Sequence, residues 1–298
     1  MVRKRQLWLW TLLLLGAGCS GDSSSASDNG VSPPVDGALA DSAGKDQAAA
    51  DSVQPSDHQA RSPDTAVPGG VVPPLGGSSA GSGGTAAPGG KTMTAPGGVS
   101  YYIIVPGSYQ AAAPNRMMVV YSGTEGAAVM TQNLAQVAGP TGLGDVIFAV
   151  LDGKVYYGNG GAGATVLDHV RSLYNIDNDR TYLLSESAGT SAGLQLGFAL
   201  RQSYFAAYWA NDVNASGTPS KTAAQLGFAP WGNVGPGGQI ALANVIVNGM
   251  KAAGYRLPAD APYSGAGSTT HGSTQQFLAS MAFFGGKARQ LAVFPPRP

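Results

Sequence analysis

Apolar residues in the second two-thirds of this chain fall into two spacings. Short runs rich in β-branched and aromatic residues alternate with stretches where apolar positions recur every three or four residues. The first spacing marks strands covered on both faces, and the second marks helices that bury one stripe. Tyr101–Val105 reads as a strand ended by Pro106-Gly107, and Met117–Tyr121 as a buried strand ended by Ser122-Gly123. A helix is expected over Ala127–Val137, and a central strand over Val146–Leu151, closed by Asp152-Gly153. Thr165–Tyr174 places Val166, Val170 and Leu173 on one face of a short helix, and Arg180–Leu184 follows as a strand. Beyond it come a helix from Thr190, a strand ending at Asp212, a helix over Ala241–Ala252 and a terminal helix over Phe277–Phe284. This alternation over residues 91–298 predicts an α/β domain with a mostly parallel central sheet and helices on both faces.

The first third of the chain has a different character. With 44 glycines, 20 prolines and only 11% charged residues, the whole is too punctuated to fold compactly from end to end, so part of it must be linker. Residues 20–90 are Ser, Ala, Gly, Pro and Asp with almost no aromatic residue, the composition of a solvated tether. As a random coil of some 70 residues it would span about 45 Å on average. Ahead of it, residues 1–19 carry a basic start (Arg3, Lys4, Arg5), an apolar run from Leu7 to Leu15 too short to span a bilayer, and small residues before Cys19, which together read as a secretory signal. Small residues followed by the chain's only cysteine also resemble the bacterial lipoprotein processing site, with Gly16 where that site usually has Leu. The resemblance implies lipidation of Cys19 and anchoring at the cell envelope; an ordinary signal peptide and a secreted product are the alternative. A single cysteine excludes an internal disulfide and a thiolate metal cluster, and no ligand spacing for zinc exists. A net charge of zero without a basic stripe speaks against a nucleic-acid partner.

The chemistry concentrates after the Arg180–Leu184 strand. Ser185-Glu186-Ser187-Ala188-Gly189 leads into Thr190 and a helix-forming run. A strand, a tight turn with small residues around a serine, then a helix is the arrangement of a nucleophile elbow. The helix aims its N-terminal amides at a developing negative charge. A second match, Gly189-Thr190-Ser191-Ala192-Gly193, overlaps it. Choosing Ser191 would draw Glu186 into the buried strand, where an unpaired carboxylate is costly, so Ser187 is the candidate nucleophile.

Such a serine needs a base. Of three histidines, His58 lies in the tether, His169 on a helix before the elbow, and His271 in a late loop, Ser268–Gly272. Serine first and histidine last is the order of α/β-hydrolases, which selects His271. The orienting acid is less marked: Asp212 follows the strand after the elbow helix, Asn233 stands as a neutral alternative where a carboxylate is expected, and Asp260 is a third candidate. Oxyanion donors are expected from the amides of Ala188 and of Gly123 or Thr124. Trp209, Trp231, Tyr156 and Tyr157 are candidates for an acyl or aromatic pocket.

With these residues in hand, the segment from Lys91 to Lys287 resembles the polyhydroxybutyrate depolymerase and feruloyl esterase group of α/β-hydrolases. The likeness is carried by YYIIVPGSY (101–109), MMVVYSG (117–123), VIFAVLDG (146–153), Asn175–Tyr182, the SESAG elbow and Met250–Tyr255. It implies an α/β-hydrolase fold and a serine esterase acting, without cofactor, on a hydroxyacyl or aromatic ester. Two positions depart from the group: Ser122 stands where a histidine often precedes the glycine, and Asn233 where an aspartate is expected. Those departures keep a catalytically lapsed, surface-binding relative as the alternative function. Which ester is cleaved, which membrane would carry the anchor and the oligomeric state stay open.

Overall fold

The computed structural model describes residues 81–289. Cys19, His58, the signal segment and most of the tether lie outside the described residues. Seven strands form one sheet: β1 (Thr92–Ala95), β2 (Val99–Ile104), β3 (Asn115–Tyr121), β4 (Ile147–Leu151), β5 (Ile176–Glu186), β6 (Ala207–Asn211) and β7 (Trp231–Gly235). Their order across the sheet is β1-β2-β4-β3-β5-β6-β7. The first two strands run antiparallel to their neighbours, whereas β4, β3, β5, β6 and β7 are mutually parallel.

Helices cover both faces, and the period of two along each strand explains why. Met117, Val119 and Tyr121 enter one core with Val166, Val170, Leu196, Ile246 and Met250; Met118 and Val120 enter the other with Met130, Leu134 and Met281. The first face is therefore covered by α2 (Gly160–Leu173), α3 (Thr190–Gln195) and α5 (Ile240–Ala252). The second is covered by α1 (Gly126–Val137) and α6 (Thr274–Phe283). A four-residue α4 (Ala223–Leu226) lies between β6 and β7. Burial on both faces is what makes β3 and β4 read as unbroken apolar runs.

Several boundaries differ from the sequence reading. The helix expected from Thr165 begins five residues earlier at Gly160, where the Asn159 side chain accepts a hydrogen bond from Ala162 N at 3.0 Å. Gly163 belongs in it because a Cβ there would run into the Tyr121 hydroxyl. The strand expected over Arg180–Leu184 spans Ile176–Glu186. Residues 81–90, expected to close the tether, lie against the domain: Ser82 Oγ donates to Tyr174 O (2.7 Å), Ile176 N donates to Ser82 Oγ (2.9 Å), and Thr85 bridges Tyr174.

The parallel register sets up the site. Tyr121 is level with both Leu151 and Ser185, and Glu186 with Asn211, which is level in turn with Gly235. The residues that immediately follow, Ser122-Gly123, Asp152, Ser187 and Asp212, thus leave the sheet along one edge. The carboxyl end of a parallel sheet is where open α/β folds place their chemistry.

Candidate active site

Ser187 is the first residue past β5 and has φ of 43°, one of two non-glycine residues with positive φ among the described residues. A residue other than glycine held there is strained by contact between its Cβ and the backbone. The turn is held by its neighbours. A Cβ on Gly189 would lie 2.6 Å from Tyr121 Cβ and 2.7 Å from Ser122 O, so only glycine lets the turn press on the end of β3. Residues 187–189 form a single tight turn and α3 starts at Thr190.

His271 approaches from the loop before α6, and its Nε2 lies 2.9 Å from Ser187 Oγ. The serine side chain is nearly buried and the histidine is exposed. Ser191 sits inside α3 with ordinary helical backbone and lines an open cavity of about 260 Å³ beside that helix. Of the two overlapping serine motifs, only the first combines the strained turn with the imidazole.

Asp212 is the other positive-φ residue, at 48°, and is buried. Its Oδ2 accepts from Gly272 N at 2.6 Å and its Oδ1 from Gln276 Nε2 at 2.6 Å. The carboxylate therefore grips the histidine loop through the backbone next to His271, and it also hydrogen-bonds the Glu186 side chain. Gly237, with φ of +53°, makes room for it: a Cβ there would collide with Asp212 Oδ1. The two alternative orienters are placed elsewhere. Asn233 is level with Trp209 in mid-strand and its Oδ1 accepts from Val234 N at 2.8 Å, while Asp260 is exposed in the turn before Pro262.

Two carboxyl groups absent from the expected set border the serine. Glu186 is buried, with Oε2 accepting from Asn211 Nδ2 at 2.9 Å, and Asn211 Oδ1 in turn accepts from Trp209 Nε1 at 2.9 Å. Burial pushes the Glu186 carboxyl well above the ordinary glutamate value, and the neighbouring Asp212 charge pushes it further. Glu186 is thus buried although Ser187, not Ser191, occupies the strained turn. The cost that argued against Ser191 is offset by the hydrogen bonds the carboxyl group makes with Asn211 and Asp212. The second carboxyl belongs to Glu125, whose Oε1 accepts from Gly123 N at 2.8 Å.

Of the expected oxyanion donors, Ala188 is buried directly after the serine and Thr124 is exposed. Gly123 lies against the serine, since a Cβ on it would be 3.2 Å from Ser187 Cβ. Ser122, at the position expected for a histidine, is buried and ties two loops together by accepting from Gly153 N at 3.1 Å. The aromatic candidates divide. Trp209 is core, packed on Tyr263 and Phe283, and Trp231 stacks under Arg256 and Lys287. Tyr156 OH accepts from Ser100 N at 2.8 Å, while Tyr157 is exposed in the loop after β4. His169 pairs with Tyr101 OH through Nδ1 at 3.1 Å, apart from this cluster. Among the described residues no group of three His, Cys, Asp or Glu is placed to hold a metal ion.

The sheet order, the two-sided helical cover and the strained serine turn after β5 define an α/β-hydrolase fold. No protein-family model matches the sequence, and no curated protein matches it. Partial likenesses to solved structures exist. A thermostable esterase shares 15% identity at a TM-score of 0.47 over 66% of this chain, which spans 62% of that esterase. A poly(3-hydroxybutyrate) depolymerase from Bordetella parapertussis shares 15% identity at a TM-score of 0.36, covering 45% of this chain and 58% of that one. A feruloyl esterase module from Clostridium thermocellum shares 14% identity at a TM-score of 0.40, covering 54% and 71%.

Proposed function

We propose that the domain is a serine hydrolase that cleaves carboxylic esters, with Ser187 as nucleophile and His271 as general base and acid. One observation carries this reading: a hydroxyl on a strained turn, 2.9 Å from an imidazole nitrogen contributed by a loop 84 residues further along the chain. Strain of this kind persists only where the surroundings impose it, and it concentrates at functional sites. In the reaction, Ser187 Oγ bonds to the ester carbonyl carbon while its proton passes to His271 Nε2. The carbonyl oxygen takes the negative charge and faces the amides of Ala188 and Gly123. Collapse breaks the bond to the alcohol, which leaves with the proton from His271. Water then repeats the sequence on the acyl-enzyme and releases the acid.

Asp212 serves as the positioning acid in this scheme. It holds the 271–272 loop by its backbone and keeps negative charge close to the imidazolium that forms, with Glu186 and Gln276 fixing its orientation. Hydroxyacyl or aromatic esters are the substrate class that the sequence resemblance favours. Envelope anchoring through a lipid on Cys19 is proposed on the signal segment alone, and metabolic labelling with a fatty-acid probe tests it.

The full chain is expected to hydrolyse p-nitrophenyl butyrate and to lose that activity in Ser187→Ala; unchanged hydrolysis by the variant would refute the assignment. A second reading, a lapsed hydrolase that binds rather than cleaves, draws on the Gly123 amide being taken by Glu125 and on Asp212 not bonding the imidazole. It predicts no turnover in the wild type.

A further inference from the structure

Glu125 is the feature of the site that ester hydrolysis leaves unused. Among the described residues its exposed carboxylate has one hydrogen bond, from Gly123 N at 2.8 Å, and no cation paired with it. The same Gly123 backs onto the nucleophile: a Cβ there would stand 2.5 Å from Glu125 Oε2 and 3.2 Å from Ser187 Cβ. A carboxylate therefore occupies the Gly123 amide, one of the two donors that the esterase reading assigns to the developing oxyanion. An anionic oxygen on an amide donor is what that position is built to receive, and charged acceptors hold such donors more strongly than an ester carbonyl does.

We propose that Glu125 is a resident occupant of the oxyanion site, one that each substrate must displace before attack. The inference rests on the esterase reading. Geometry allows the exchange, because Glu125 precedes the first turn of α1, is exposed, and is followed by Gly126 at φ of +83°. Staying in place during attack would set its charge against the new oxyanion. Uncharged ester carbonyls compete poorly with it, so Glu125 restrains reactivity and selects substrates that bring binding energy from elsewhere in the molecule. Free carboxylates, including the acid product, must contend with the same occupant and bind weakly.

The test uses the full chain with Glu125→Ala and Glu125→Gln. Glu125→Ala frees the amide and is expected to raise both kcat/KM for p-nitrophenyl acetate and the rate of fluorophosphonate labelling by about tenfold, equivalent to about 1.4 kcal/mol. Glu125→Gln keeps an acceptor without the charge and should fall between. Butyrate should inhibit Glu125→Ala more strongly than the wild type, a change that loosened packing would not bring. Labelling at equal or lower rates in Glu125→Ala, with an unchanged melting temperature, overturns this proposal alone. Absence of Ser187 labelling in both wild type and variant overturns the esterase reading and this proposal with it.

Discussion

Replacing Ser187 with glycine is expected to leave the domain more stable than replacing it with alanine. Both substitutions remove the Oγ that meets His271 Nε2, so both lose the same hydrogen bond and should be inactive. They differ in the backbone. At φ of 43° alanine keeps the Cβ that crowds the following carbonyl, which costs about 1–2 kcal/mol, and glycine releases it. Against that, glycine gives the unfolded chain more freedom, worth about 0.5–1 kcal/mol. The difference should leave Ser187→Gly ahead by ~0.5–1 kcal/mol, or on the order of 2 °C in melting temperature for a domain of about 200 residues. Thermal melts of the two variants, followed by circular dichroism in one buffer, read the difference directly. An alanine variant that melts at or above the glycine variant would refute the idea that the turn stores strain at this residue.

Other expectations concern the carboxyl groups. In Asp212→Asn a single oxygen replaces the two that now accept from Gly272 N and Gln276 Nε2, so the histidine loop loses one anchor. A fall in kcat of about 100-fold is expected from a misplaced base, measured against Asp260→Asn, which should stay within about twofold. Glu186 supplies a pH test. Its folded value lies above the ordinary 4.5, so the stability tied to its protonated form is complete below that value and is lost as pH rises through the raised folded value. Glu186→Gln keeps an oxygen for Asn211 and removes the titration, so its melting temperature should fall less than that of the wild type between mildly acidic and alkaline buffer. Parallel curves for the two proteins would mean that Glu186 does not carry the effect.

The architecture was legible wherever burial on both faces forced unbroken apolar runs, as in Met117–Tyr121 and Val146–Leu151. It was illegible in Trp231–Gly235, where two of five strand residues are glycines that packing requires. A Cβ on Gly232 would stand 2.5 Å from Met250 Sδ, and one on Gly235 would strike Asn211 and Gln276. Such contacts come from elements distant in sequence, so no local propensity encodes them. The serine and the late histidine could be found because a tight turn needs small residues around its hydroxyl and only three histidines exist. Gln276 could not, since a glutamine in the first turn of a helix ordinarily meets water. Glu125 reads as one polar residue in a flexible loop, and its approach to Gly123 depends on the turn between β3 and α1. Asn233 looked suitable through its place in the order of elements, but its register beside Trp209 holds it inside the sheet, short of the edge where Asp212 emerges.

In the proposed reaction one hydroxyl, on the strained turn after β5, is the nucleophile. Mass-spectrometric mapping of a fluorophosphonate adduct on the full chain tests it most directly, because Ser187 and Ser191 lie four residues apart and share the overlapping motif. A single adduct on Ser187 is expected, and it should be lost when His271 is replaced by alanine. An adduct on Ser191, or labelling of Ser187 that persists undiminished without His271, would contradict it.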